Sequence, residues 1–481
     1  MKRIFLISLI LIATVYLQAQ TEADALRYSM TTFGGTARFM GTGGAFGALG
    51  ADFSCLSVNP GGIGLYKKSE FTFTPAFHLT NINSEYNQTS GEDYKLNFNI
   101  SNVGFVGTFL TKAGRSTDNT KGWKSIQFGF GLNRIANFNS RMAIMGINTS
   151  NSLLTEYAAA ANASNSLYPF DTELAYNADL LYYDTTSNQY MYDATGGGVE
   201  QKKIVNTSGS MNEMVFTLGG NFNDRLYLGA TIGLPFIRFK ETSTYRETDV
   251  ADTINYFRSF SLKNNLSTDG TGINLKLGFV LRITDWVRIG GAFHTPTYFY
   301  KMTDKWDASI VSNLDNGTQF NVESPGGNFE YSMTTPMRAI GSIAFIIGKY
   351  GLISGDYEYV DYKQARIQSN SADFMDVNEN IKNNFRYASN IRVGAEVKLD
   401  PVSFRGGYAL YGNPFKSGIH EIIQQSMTFG LGYRQSHFSF DIAYVRTTYS
   451  EDYYLYSKAL VNPVHNNINK NNIVMTFGLK F

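Results

Sequence analysis

One cysteine, Cys55, and ten prolines are all that 481 residues contain of the two residue types that most often staple or break a fold. A single thiol excludes an intrachain disulfide framework, so backbone pairing and packing must hold the chain, and Cys55 reads as a buried free thiol. Charge is sparse too. Charged residues make up 17% of the chain, against roughly a quarter in ordinary soluble domains. The formal charge is +1, and no basic stripe is present to hold nucleic acid. Beyond the first residues, no stretch reaches the roughly 18 consecutive apolar residues of a spanning helix. The abundant types are glycine (46), phenylalanine (36) and tyrosine (31).

The chain begins Met1-Lys2-Arg3, continues in an apolar run from Ile4 to Leu17, and then reads Gln18-Ala19-Gln20. A basic start, a short apolar core and a small residue at its end predict a secretory signal peptide over 1–19, cleaved after Ala19. The run is too short and wrongly flanked for a membrane anchor. No cysteine adjoins the cleavage site, which argues against a lipoprotein. Removing Lys2 and Arg3 leaves a mature charge of about −1.

Alternation with period two dominates the rest. Ile473, Met475, Phe477, Leu479 and Phe481 share one face, while Asn472, Val474, Thr476, Gly478 and Lys480 share the other. The same pattern runs through Ile273–Leu281, Ile391–Leu399 and Met427–Tyr433. A membrane protein without spanning helices must close its backbone hydrogen bonds in a barrel, apolar outside and polar within. A soluble sandwich alternates as well, so the connections decide. Strands are expected near 70–80, 97–111, 123–138, 213–223, 226–245, 256–283, 287–306, 327–347, 351–363, 388–399, 402–411, 426–434, 438–450 and 471–481. Short turns such as Asn223-Asp224-Arg225, Thr284-Asp285-Trp286 and Asp400-Pro401 alternate with longer polar connections, of which 139–212 is the longest. Short turns at one end and long loops at the other mark an outer-membrane barrel. The expectation is therefore an all-β, 14-stranded antiparallel transmembrane β-barrel over 70–481, in the bacterial outer membrane. Tyr298-Phe299-Tyr300, Tyr357, Tyr359, Tyr362, Tyr408 and Tyr411 suit an interfacial girdle or, equally, ordinary β-propensity.

Residues 20–69 do not alternate. They carry Phe33-Gly34-Gly35 through Gly50, then Asp52 to Leu65 with Asn59-Pro60-Gly61-Gly62-Ile63-Gly64. The glycine spacing lacks G-x-G-x-x-G after a strand, so a phosphate loop is rejected. Small residues let backbone approach backbone, and fourteen strands enclose more space than side chains fill. An N-terminal hatch, a plug inside the lumen, is the economical reading. A periplasmic tail is the alternative.

The stretch Asn59-Pro60-Gly61-Gly62-Ile63-Gly64-Leu65 just before the first strand resembles the hatch motif of the FadL/TodX outer-membrane transporters. Asn59 and Pro60 match its Asn-Pro-Ala, while Gly61 replaces Ala. Phe128–Phe138 also resembles the third strand of Bacteroidetes-type relatives, and a terminal aromatic such as Phe481 resembles the signal read by the barrel assembly machinery. The resemblance covers the layout of the whole mature chain. It implies passive inward transport of hydrophobic compounds, such as long-chain fatty acids or aromatic hydrocarbons. It also implies capture outside, hatch rearrangement, and lateral exit at a kinked third strand.

In that strand the alternation falters at Asn133-Arg134-Ile135-Ala136-Asn137, where a bulge would turn polar groups inward. Gly129 and Gly131 offer backbone freedom nearby. Gly129, Gly131, Asn133, Arg134 and Asn137 are therefore the candidate opening, with the headgroup zone as the alternative explanation of their polarity. In 139–212, the sequence Ser152–Ala161 suits a short helix. Met142, Ile144, Met145, Leu153 and Leu154 are candidate capture residues, unless the helix merely packs on its own loop. Lys276, Arg282, Arg288, Asp356, Glu358, Arg392, Glu396, Lys398, Arg405 and Asp441 are expected in the lumen, as salt-bridged wall packing by default. A basic member of that set would suit a carboxylate headgroup. His78, His294, His420, His437 and His465 show no metal spacing, and no nucleophile elbow is present. No catalytic residue, metal or cofactor is expected. The expected partners are outer-membrane lipid, a hydrophobic small-molecule ligand and, during biogenesis, the barrel assembly machinery, with the chain a monomer. Three other readings stay open: an anchoring or shuttle barrel of a protein secretion system, an outer-membrane enzyme, and a general aqueous porin.

Overall fold

The computed structural model describes residues 20–115, 121–164 and 166–481. The leader expected over 1–19 lies outside them. Fourteen antiparallel strands close on themselves. They are β1 Glu70–Tyr86, β2 Thr89–Leu110, β3 Trp123–Asn137 continued by Ser140–Asn148, β4 Val199–Phe222, β5 Leu226–Thr248, β6 Ser259–Arg282 and β7 Val287–His294 continued by Tyr298–Asn313. There follow β8 Gly327–Thr334 continued by Arg338–Ile347, β9 Gly351–Asp361, β10 Tyr387–Leu399, β11 Val402–Tyr411, β12 Gln424–Arg434, β13 Phe438–Tyr453 and β14 Val464–Lys480. Each strand pairs with its neighbour in sequence, and β1 closes on β14 in register from Glu70↔Lys480 to Glu85↔His465. Ser69 and Phe481 exchange both backbone hydrogen bonds at 3.1 Å, which ties the first strand to the last residue.

Residues 256–283 hold one continuous strand, as the alternation implies. Several strands run beyond their expected ends. The connection at 81–96 is mostly strand, turning at Asn87-Gln88, both with positive φ. The region 139–212 likewise gives up Ser140–Asn148 and the start of β4 to the sheet. These segments mix polar residues with apolar ones such as Ile82, Tyr86, Met142 and Ile144 on the inward face. Ladder hydrogen bonds and the burial of those inward residues sustain them together.

The outward face of the wall is apolar around the whole circumference: Leu96, Leu218, Ile232, Leu277, Val393, Phe429 and Leu479 are all exposed. Their inward neighbours Thr217, Lys276, Arg392, Thr428 and Thr476 are buried. No helix among the described residues is long and apolar enough to cross a membrane.

The inward face is covered by residues 20–66, which have little regular structure: helices Glu22–Ser29 and Ala37–Gly41, and 3-10 turns Phe53–Ser57 and Pro60–Leu65. Backbone polar groups outside a ladder need other partners, and side chains from strands all around the wall supply them. Thr428 donates to Gly41 O (3.0 Å), Thr231 to Leu56 O (3.1 Å) and Gln127 to Tyr66 O (3.0 Å). Thr476 accepts from Ala37 N (2.7 Å), and the Asp356 carboxylate accepts from Phe46 N and Gly47 N (both 3.1 Å). Buried ion pairs complete the seat. Arg38 and Arg405 both pair with Glu396 (3.0 and 2.7 Å), and Arg405 reaches Asp441 (2.6 Å).

Glycine makes this approach possible. A Cβ on Gly278 would lie 2.0 Å from Asn59 Oδ1, and one on Gly229 would lie 2.2 Å from Pro60 O. On the opposite wall, a Cβ on Gly394 would meet Thr42 O at 2.2 Å. Gly278→Val is therefore expected to lift residues 59–62 off β6 without opening the barrel. Trypsin should then cut at Arg27 or Arg38 at least tenfold faster than in the parent, with heat-modifiable mobility on gels retained. Unchanged protection of both arginines would contradict this packing.

Candidate functional site at the edge between β2 and β3

The ladder between β2 and β3 stops partway along the wall. β2 and β3 pair only from Asn102↔Asn133 to Leu110↔Ser125. Beyond that point β2 pairs with β1 alone, from Thr89 to Ile100. On the other side β3 shifts register against β4 between Arg134 and Ala136, so that Ile135 is the extra residue of a bulge. The strand resumes at Ser140, paired only with β4. Side chains bridge the parted strands: Lys95 donates to Asn206 Oδ1 (2.7 Å) and Thr207 O (2.6 Å), and Arg141 pairs with Asp93 (3.0 Å). Along the open edge of β2, Tyr94, Leu96, Phe98 and Ile100 point outward and are exposed. An unpaired strand edge facing hydrocarbon leaves N–H and C=O groups without water, at several kcal/mol for each.

A polar chain joins the fork of this opening to the N-terminal segment. Thr72 donates to Asn102 Oδ1 (2.8 Å), and Asn102 donates to Asn133 Oδ1 (2.8 Å). Asn133 donates to Ser57 Oγ (2.8 Å), and Ser57 donates to Glu213 Oε2 (3.0 Å). Glu213 is paired in turn with Lys276 and accepts from Asn274 (3.1 Å). Asn102, Asn133 and Glu213 are at most 1% exposed, so every lost partner leaves a buried polar group unsatisfied, at about 1–3 kcal/mol. Gly34 passes the same fork, and a Cβ there would lie 2.4 Å from Arg134 O.

The residues singled out from sequence fall into two groups. Asn133 and Arg134 sit at the fork and the bulge. Asn137 caps the break after it, its Oδ1 accepting from Asn139 N (2.9 Å). Gly129 and Gly131 are elsewhere, in regular register with Val106 and Gly104. They make room for the N-terminal segment, since a Cβ would crowd Leu56 at Gly129 and Phe53 at Gly131. Asn59 is a three-way clamp. Its Nδ2 donates to Gly47 O (2.6 Å) and Phe279 O (2.9 Å), and its Oδ1 accepts from Gly61 N (3.0 Å). Pro60 opens the following turn, and Gly61 lies flat on the Phe279 backbone. Ser57, Asn102 and Glu213 carry no sequence signal, because nothing local marks which polar residues will meet.

The long-loop end is closed by an apolar cluster. Met142, Ile144, Leu153 and Leu154 are buried in it with Ile82, Tyr86, Tyr157, Leu181, Phe260 and Ile468. Met145 points away and is exposed. The expected helix spans Leu153–Ser164. Its start is held by the Glu247 carboxylate, which accepts from Ser152 Oγ, Leu153 N (2.8 Å), Gln201 Nε2 (2.9 Å) and the Tyr245 hydroxyl. Outward residues on β5 are already polar from Arg238, so Glu247 lies beyond the apolar belt. Burial pushes its carboxyl above the usual carboxylate range. A second buried cluster below it gathers Tyr28, Met211, Phe239, Phe299, Met302 and Tyr331, with Ile135, Ala136 and Phe138 of the bulge packed against it.

No family profile matches the chain, and no curated protein matches its sequence. Solved structures do match its shape. A FadL homologue of Pseudomonas aeruginosa superposes with TM-score 0.57 at 13% identity, covering 94% of this chain and 99% of that one. The toluene transporter TodX of P. putida gives 0.56 at 11% identity, covering 93% and 99%. The toluene transporter TbuX of Ralstonia pickettii gives 0.52 at 14%, also covering 93% and 99%. With the strand count, the closure and the coverage all in agreement, this chain is a barrel of the FadL/TodX fold.

Proposed function

We propose that the chain carries hydrophobic compounds passively across the outer membrane, with residues 20–69 as a hatch in the lumen and the β2–β3 edge as the lateral exit. The observation that carries this reading is the ladder that stops at Asn102↔Asn133, beside Ser57 of the proposed hatch. A barrel with no lateral traffic gains nothing from an unpaired edge in hydrocarbon. The long-loop end then faces outside, and the short turns face the periplasm. Met142, Ile144, Leu153 and Leu154 belong to the capture surface, and the cluster around Tyr28 and Phe239 is the dry stage below it. Apolar burial supplies affinity at roughly 25 cal/mol per Å², enough to draw solutes that a water-filled pore would not. Similar structures named for toluene transport favour small-molecule passage over an anchoring role in secretion, and channel work needs no catalytic group. Lipid surrounds the wall, the chain works as a monomer, and Phe481 at the barrel seam is available to the assembly machinery.

Two outcomes test the path. A Cβ on Gly41 would lie 3.6 Å from the Cβ of Ala443, a buried residue of β13, a separation that suits a disulfide. Oxidised Gly41→Cys/Ala443→Cys should lose uptake of radiolabelled oleate and of toluene by cells that rely on this barrel, and reductant should restore both. Undiminished uptake in the oxidised form would sink hatch displacement. Deleting Ile135 removes the bulge, and with a folded, heat-modifiable barrel it should lower uptake at least tenfold. Normal uptake from that variant would mean that the cargo leaves by another route.

A further inference from the structure

A second feature of the wall lies away from this path, on its outer surface near the short-turn end. A groove of about 850 Å³ is sunk into the apolar belt across β3 to β8, within the size range of small-molecule pockets. Its floor is low because Gly220, Ala230 and Gly291 stand where neighbouring outward positions carry large side chains. Its walls are apolar: Trp123, Leu218, Leu228, Leu277 and Phe293 are all exposed to the surroundings. Beneath the floor a single layer of backbone separates the groove from the proposed hatch, because Gly229 and Gly278 face inward onto Pro60 and Asn59.

What fills the groove follows from its depth and its rim. It begins at Trp123, the first residue of β3, and at Leu228, three residues after the turn Asn223-Asp224-Arg225. A tryptophan at a strand end marks the headgroup level. Arg225 is exposed, and among the described residues its hydrogen bonds run through its backbone, to Phe222 O and from Arg282 N. The neighbouring Arg282 is already paired with Asp285 (2.7 Å). An apolar trench beside a guanidinium with no side-chain partner among the described residues suits a hydrocarbon chain ending in an anionic group, and a phosphate offers it the paired acceptor oxygens of a charge-assisted bond.

We propose that this groove is a resident lipid site for an inner-leaflet glycerophospholipid, with an acyl chain over Gly220, Ala230 and Gly291 and the phosphate on Arg225. The site rests on the outer-membrane placement given above, but not on transport, so its test reads no uptake. Detergent-purified barrel is incubated with palmitoyl-oleoyl phosphatidylglycerol vesicles, stripped by detergent exchange, and weighed by native mass spectrometry. The parent should keep one phospholipid per chain. Ala230→Leu, which raises the floor, should keep at least fivefold less, and Arg225→Gln at least threefold less. Phe429→Ala, an outward substitution on β12 far from the groove, should match the parent. Heat-modifiable mobility identifies the folded fraction of each variant. The proposal is overturned if folded Ala230→Leu keeps as much phospholipid as the parent. It is equally overturned if the parent keeps none, or keeps palmitate but not phosphatidylglycerol when both are offered, which would make the groove a fatty-acid site instead.

Discussion

A backbone that makes neither helix nor ladder has to be given partners, and here the barrel wall provides them. Residues 20–66 bring their peptide groups to within hydrogen-bond distance of Thr231, Asp356, Thr428, Thr476 and Gln127. Glycine on both sides of the contact keeps side chains out of the way. The buried charges of the wall serve the same end. Glu396 is shared between Arg38 of the N-terminal segment and Arg405 of β11, so neither carboxylate nor guanidinium is left alone in a dry interior, where an unpaired charge costs several kcal/mol. Apolar contacts share the seat: Phe39, Phe46 and Leu49 pack against Leu352, Ala443 and Val445, and Phe53, Leu56 and Ile63 against Val106 and Val215.

The open edge depends on that seat. Strand β3 keeps its ladder with β2 as far as Asn133, and there the chain of hydrogen bonds turns inward to Ser57 and on to Glu213. The next residues, Arg134 to Ala136, form the bulge that carries β3 away from β2. One asparagine thus ends the wall and holds the N-terminal segment, so a shift of the segment and a change at the fork share a group. The apolar clusters on the long-loop side place their buried surface above this junction, and Ile135, Ala136 and Phe138 belong to both regions. The further groove under Gly229 and Gly278 lies behind the Asn59-Pro60-Gly61 contact, on the opposite side of the same thin wall.

Much of this was legible in one dimension. Ile273 to Leu281 and Met427 to Tyr433 alternate because one face meets an apolar surrounding and the other a polar interior. Strand identity, strand parity and the faces of most side chains follow from that period alone. The glycine-rich run before β1 also announced close backbone contact, because glycine in such number has few other uses. What misled was locality. Gly129 and Gly131 look like hinge residues beside a faltering pattern, yet they are recesses for Leu56 and Phe53, which lie more than seventy positions earlier in the chain. The partners of Met142 and Leu153 were equally hidden from the local pattern, because their neighbours in the buried cluster come from β1, β6 and β14.

The sequence by itself therefore determined a closed sheet of fourteen strands, its inner and outer faces, and a separate small-residue segment ahead of it. Each is a consequence of side-chain period and backbone permissiveness, which act between near neighbours. Only the tertiary structure decided which inward residues meet. Asn102 finds Asn133, Asn133 finds Ser57, and Ser57 finds Glu213 through a register set by the whole barrel. It also decided where the ladder stops. Strand pairing is a non-local choice, and a single added residue at Ile135 changes it without changing the pattern that any short window of sequence displays.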